Sequence, residues 1–154
     1  MSKKIIKKFL VFILVMLAAW YLFFEVQSYL GRQALEATGL KSTELTAALI
    51  QAKKEKKFIL AEMSAIWCST CRKLDQKVFS DEKVKQAIAK DYIFTRMEYE
   101  TKEGKTFMKK HAIRGFPTLL ILDDEANKIL QLPLTFDAEL FIDYLNDFVE
   151  MRSQ

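Results

Sequence analysis

Sixteen consecutive residues without a charge, Phe9 to Phe24 (FLVFILVMLAAWYLFF), follow lysines at positions 3, 4, 7 and 8. A run this apolar has no place on the surface of a small soluble domain and is too continuous to be one face of an amphipathic helix. As a helix at about 1.5 Å per residue it covers about 24 Å, a little short of a ~30 Å hydrocarbon core. Its flanks supply the rest: Ile5 and Ile6 on one side, Val26, Tyr29 and Leu30 on the other, with Lys7 and Lys8 able to snorkel and Trp20, Tyr21 and Tyr29 suited to an interface. A single spanning helix is therefore expected over residues 9–30.

A cleaved signal peptide shares the basic start and apolar middle. Here the exit is poor, because Leu17 precedes Ala18-Ala19 where a small residue is wanted and Trp20 to Phe24 continue apolar beyond it. An uncleaved anchor is the better reading. The excess of positive charge before the span keeps residues 1–8 as a basic cytoplasmic tail and sends the remainder across the membrane, to the periplasmic side of a bacterial inner membrane.

The net charge of +4 is carried by those four lysines, since the other 20 Lys and Arg balance 20 Asp and Glu. Phosphate recognition needs a basic surplus on the folded part, so nucleic acid is not an expected partner. The lipid bilayer, met through residues 9–30, is. With 154 residues and 51% hydrophobic content the chain is expected to build one core. Residues 31–42, with Gly31, Thr38, Gly39 and Ser42 and weak periodicity, read as a linker or frayed helix, leaving 43–154 as the folded domain.

Within that domain Leu45, Ala48, Leu49 and Ala52 keep helical spacing, and Phe58 to Ser64 is the short, nearly continuous apolar run of a strand covered on both faces. Leu74 and Val78 continue a helical face from Cys71. Ser80, Asp81 and Glu82 resemble a fresh helix start for Val84 to Lys90, and Tyr92 to Tyr99 reads as a strand. Lys102 to His111 is a weaker helix ending at the lone histidine. Thr118 to Leu122 and Lys128 to Leu134, around an Asp123 to Asn127 turn, read as a hairpin, and Leu140, Phe141, Tyr144, Leu145 and Phe148 trace a closing helix capped by Asp137. This order implies an α/β fold: a mixed sheet with helices on both faces, preceded by one transmembrane helix.

Chemistry concentrates at Trp67-Cys68-Ser69-Thr70-Cys71, which holds the only two cysteines, at the passage from strand to helix. A loop this small constrains the unfolded chain little, so the pair is better suited to redox exchange than to propping up a fold. Zinc wants about four ligands, and a single His111 with two cysteines does not supply them. No metal and no organic cofactor is expected. A cysteine in the first helical turn meets unpaired N–H groups and the positive end of the dipole, which favour thiolate over thiol. Cys68 holds that place and is expected to be the nucleophile. Cys71, one turn in on the Leu74 and Val78 face, is expected to be more buried and to resolve the mixed disulfide. Ser69 and Thr70 either add hydroxyl hydrogen bonds to the thiolate or are turn residues.

With this motif, the preceding strand and Arg114-Gly115-Phe116-Pro117-Thr118, the sequence resembles the thioredoxin superfamily over roughly Thr43 to Phe148. The segment CRKLDQKVFSDEKV, from Cys71 to Val84, is most similar to the C-terminal thioredoxin-like domain of DsbD, which passes reducing equivalents to the periplasm. The large electron-carrying membrane domain of DsbD has no counterpart in this sequence. The resemblance implies a protein-disulfide reductase or, more broadly, a thiol-disulfide oxidoreductase acting on disulfide-containing proteins and recharged by a membrane-embedded redox partner. It also implies that Glu62, six residues before Cys68 where Asp is more usual, accepts a proton from Cys71; a carboxyl in an apolar strand is desolvated, which suits it to be a base. Pro117 matches the family's cis-proline, Phe116 would offer its backbone to an extended substrate, and Trp67 would pack over Cys68. The competing reading is a thioredoxin-like binding or assembly module, including a metallochaperone, without redox turnover.

Overall fold

The structure, a computed structural model, describes residues 3–153. Helix α1 runs unbroken over Lys3–Thr38, 36 residues and about 54 Å, and it is long and apolar enough to cross a membrane. Of residues 31–42, read from sequence as a linker or frayed helix, 31–38 are helical and 39–42 have no regular structure. The helix continues to Thr38 and stops at Gly39, whose φ of +63° lies where glycine is favoured. Its second half presents one covered face, Phe24, Gln27, Ser28, Gly31, Ala34, Leu35 and Thr38, while the Phe9 to Phe23 stretch is bare. The spacing of that face is helical, but its small and polar residues hide it from a search for apolar periodicity.

Beyond α1 the elements follow as α2 (Leu45–Glu55), β1 (Phe58–Ser64), α3 (Ser69–Leu74), a π-helical turn (Asp75–Phe79), α4 (Glu82–Asp91), β2 (Tyr92–Glu98), α5 (Lys102–Lys110), β3 (Thr118–Leu122), β4 (Lys128–Gln131) and α6 (Ala138–Ser153). The sheet order is β2-β1-β3-β4, with β1 parallel to β2 and antiparallel to β3, and β3 antiparallel to β4. The expected mixed sheet is thus present. β4 is shorter than the Lys128 to Leu134 reading, ending at Gln131.

Strand alternation divides the core. Leu60, Phe94, Leu119 and Ile121 face α3, α4 and α6 through Leu74, Val78, Val84, Ile88, Phe141 and Leu145. Ile59, Ala61, Met63, Ile93, Leu120 and Leu122 face α2 and α5 through Ala48, Ala52 and Phe107. Helices lie on both faces, and β1 and β3, buried on each, carry the nearly continuous apolar runs seen in the sequence.

Local signals set the helix ends. Asp81 caps α4 by accepting from the N–H groups of Lys83 and Val84 at 2.8 and 3.3 Å, and Asp137 accepts from Leu140 N–H at 3.1 Å as α6 begins. Between α3 and α4 the Ser80 N–H reaches back to Asp75 O at 2.9 Å, five residues, which widens the helix by one residue. That extra residue buries Asp75, Val78 and Phe79 together. The outer edge of β2 is covered by the chain entering α2: Thr43 N–H donates to Phe94 O at 2.9 Å, and Ser42 Oγ accepts from Arg96 N–H at 2.9 Å.

Candidate functional site

The end of β1 delivers the chain into α3 at Cys68, which is the N-cap of that helix: its sulfur accepts from the Cys71 N–H at 3.2 Å. Both cysteines are buried and unbonded to one another, so the pair is a dithiol. The Cys71 thiol hydrogen bond lowers the Cys68 pKa most, burial opposes it, and the backbone N–H groups of Cys71 and Thr70 assist, bringing it to about 6. Ser69 and Thr70 are themselves exposed. Cys71 moves far the other way, because donating to Cys68 and being buried both hold its proton. Cys68 thus stands at the helix N-terminus, and Cys71, one turn in, is the more buried of the two.

The face of β1 that carries Ser64 also carries a buried charge cluster. Glu62 is fully buried on β1, register partner of Arg96 on β2, and its Oε2 lies 3.3 Å from Arg96 Nη1. The same Nη1 donates to Asp75 Oδ1 at 2.8 Å and Nε donates to Glu98 Oε1 at 2.7 Å. One guanidinium therefore serves three carboxylates. Burial raises Glu62 to about 8, with Arg96 pulling it down and the charges of Asp75 and Glu98 pushing it up; burial likewise raises Asp75. Burial alone would favour a neutral Arg96, but the carboxylates of Glu62, Asp75 and Glu98 outweigh it and keep the guanidinium charged. Ser64, buried on the same face of β1 with its hydroxyl unpartnered, favours the charged form of both Glu62 and Cys71. Arg96, Asp75 and Ser64 are absent from the sequence-based site. The usable signal was a lone arginine in the apolar β2 run, level with Glu62 once the two strands are parallel neighbours.

An aromatic collar surrounds the sulfur. Trp67 stands edge-on to Phe116 at 5.8 Å, Phe116 meets Tyr99 at 5.2 Å, and Trp67 Nε1 donates to Glu100. The Phe116–Pro117 peptide bond is cis, and Phe116 O lies 3.9 Å from Cys68 Sγ. Helix α1 lies against the outside of this collar. Phe24 packs on Trp67 at 6.0 Å, and Gln27 Oε1 accepts from Arg72 Nη1 at 2.8 Å. His111 is the C-cap of α5 and packs on Phe107 at 4.4 Å.

A thioredoxin-like family profile matches residues 41–124, more than half of the chain. The chain belongs to the thioredoxin-like family. Within it, the chain is 30% identical over 107 residues to the thiol:disulfide interchange protein DsbD of Yersinia pestis, a match covering 68% of this chain and 18% of that one. This thioredoxin-like chain thus spans about a fifth of the length of the DsbD relatives it matches. Among solved structures, its fold is similar to a DsbH oxidoreductase (TM-score 0.64, 15% identity, 70% of this chain and 83% of that one). It is also similar to the oxidised DsbD C-terminal domain of Neisseria meningitidis (TM-score 0.55, 22% identity, 67% and 91%).

Proposed function

We propose that this thioredoxin-like chain is a membrane-anchored thiol-disulfide oxidoreductase that reduces disulfides of periplasmic proteins through Cys68 and Cys71. The observation that carries the reading is the N-cap position of Cys68, with Cys71 one turn behind it and donating to the same sulfur. The apolar α1 supplies the anchor across a bacterial inner membrane, and the preceding lysines orient the folded domain toward the periplasm.

In the reducing direction the Cys68 thiolate attacks one sulfur of a substrate disulfide and expels the other as a thiolate, leaving a mixed disulfide. Once Cys68 is so bound, it is no longer an anion accepting the Cys71 hydrogen bond, and the main reason for the high Cys71 pKa is gone. Glu62, whose raised pKa makes its ionised form a stronger base than an ordinary carboxylate, takes the Cys71 proton in that ionised form. The Cys71 thiolate then attacks Cys68, breaks the mixed disulfide and releases the second substrate thiol. Two electrons have passed to the substrate, and the Cys68–Cys71 disulfide awaits two from a membrane-embedded dithiol donor. Phe116 and Pro117 offer backbone to the substrate chain beside the sulfur, and Trp67 shields it.

Trapping tests the reading. Cys71→Ser, expressed in a bacterial host, is expected to accumulate proteins disulfide-linked to Cys68; recovery of none, with the variant folded and exported, would overturn it in favour of a binding module.

A further inference from the structure

The covered face of α1 is gripped by the segment that bears the dithiol. Gly31 sits so close to the loop that a Cβ there would stand 1.8 Å from the Ile66 carbonyl oxygen. Gln27 is bonded to Arg72 on α3, and Phe24 packs on Trp67, beside Cys68. Farther along, Lys85 Nζ donates to Thr38 O at 2.9 Å. Ser28, Ala34 and Thr38 are buried. Nothing between Phe24 and Thr38 interrupts the helix, so the domain is joined to the apolar run by a fixed arm rather than a tether.

The depth of that arm follows from length. A ~30 Å hydrocarbon core takes about 20 helical residues, so a core entered at Ile5, with Lys7 and Lys8 snorkelling back to the surface, ends at about Phe24. Trp20 stacks on Phe24 at 6.2 Å and Phe24 packs at a tilt on Trp67, which carries an aromatic column from inside the apolar run to the residue beside Cys68. Trp67 is amphipathic, with its ring on Phe24 and its N–H on Glu100, as an interfacial tryptophan should be.

We infer that α1 is a positioning arm as well as an anchor: by clamping Ile66, Trp67 and Arg72 it holds the Cys68–Cys71 face at the headgroup level of the bilayer, which narrows its substrates, among proteins with disulfides on the periplasmic side, to those embedded in the membrane. This rests on the reading of Phe9 to Phe24 as a span and of the cysteines as an exchanging pair. The exchange step is the one written above. A freely diffusing periplasmic protein would have to bring its disulfide down to the lipid surface, whereas a disulfide at the mouth of a transmembrane helix is already at that height.

The test uses the full chain in phosphatidylcholine–phosphatidylglycerol vesicles. A nitroxide on Cys68 of Cys71→Ser is compared for collision with oxygen and with a water-soluble nickel complex; a headgroup-level depth is expected, and fully aqueous behaviour overturns the inference. In parallel, the reduced native chain is offered one disulfide peptide in two forms, free in solution or fused to a transmembrane helix in the same vesicles. Confinement at matched height should favour the fused form by about 10²-fold. Gly31→Leu with Gln27→Ala should keep the alkylation profile of Cys68 and lose most of that preference. If that pair fails to fold, Phe24→Ala with Gln27→Ala relaxes the clamp without a backbone clash. Equal rates with both peptides overturn the membrane partner and leave the exchange reading standing. Exchange with neither overturns both.

Discussion

Glu62 and Arg96 face each other in register across β1 and β2, their charged atoms 3.3 Å apart and out of contact with water. Arg96 also holds Asp75 and Glu98, so this one cation is the counter-charge of a cluster that otherwise contains only acids. Removing it leaves buried carboxylates without a partner, the situation in which breaking a buried pair is costly.

Arg96→Met is therefore expected to destabilise the domain by about 3–5 kcal/mol, the range for stranding a buried charge. Urea denaturation of the full chain in detergent, followed by tryptophan fluorescence, measures it. A loss under 1 kcal/mol would show that the cluster is not held by its arginine.

Glu62 gives stability a pH dependence of definite sign. Its pKa rises from an ordinary 4.5 to about 8 on folding, so between those values the folded state binds the proton and the unfolded state does not. Stability from this group is complete below 4.5 and is lost as pH climbs toward 8, at no more than about 1.4 kcal/mol per pH unit. Glu62→Gln mimics the protonated form. Native and variant should be alike near pH 4.5 and diverge upward, with the variant the more stable at pH 8; parallel stability profiles would contradict this.

The same substitution separates the two chemical steps. Glu62→Gln should leave formation of the mixed disulfide at Cys68 unchanged and slow its resolution by about 10²-fold or more, the usual worth of a positioned base. Single-turnover quenching, with the mixed disulfide counted by mass spectrometry, distinguishes the steps.

Cys68 should be alkylated by iodoacetamide with a half-point near pH 6, and Cys71 should stay unreactive up to pH 9. The rate follows thiolate fraction, so the profile reports the sulfur directly. A half-point above 8 for Cys68 would remove the basis of the proposed attack.

Asp75→Asn probes the cluster from its other side. The Asp75 charge pushes the Glu62 pKa up, and it competes for the same guanidinium nitrogen at the shorter distance, 2.8 Å. Neutralising it should lower the Glu62 pKa, read from the carboxylic acid stretch in an infrared pH titration. An unchanged or higher value would refute the coupling.

Strands β1 and β3, the closing helix and the place of both cysteines were legible because each rests on a local pattern: continuous apolar runs, helical spacing, and a cap. Burial of Glu62 was legible too, from an acid inside an apolar strand. Arg96 was not, since its role depends on which strand lies beside β1, and nothing local states that pairing. Asp75, four residues after Cys71, lies on the buried face that Leu74 and Val78 also trace, so helical spacing places it there; its charge is what kept it out of an apolar reading of that face. The second half of α1 escaped for a related reason. Close helix packing selects glycine, alanine, serine and threonine, residues that in isolation read as a loop.

Ser42 and Thr43, which cover the free side of β2, carry a practical warning. A soluble version of the domain made by trimming everything before α2 would lose more than its greasy stem: it would uncover a row of unpaired amides and carbonyls along β2, open to strand-by-strand stacking with its neighbours. Shortened chains that begin after residue 43 should therefore self-associate where those retaining residue 42 onward stay dispersed, and a purification that ignores this would misread an artefact of cutting as a native oligomer.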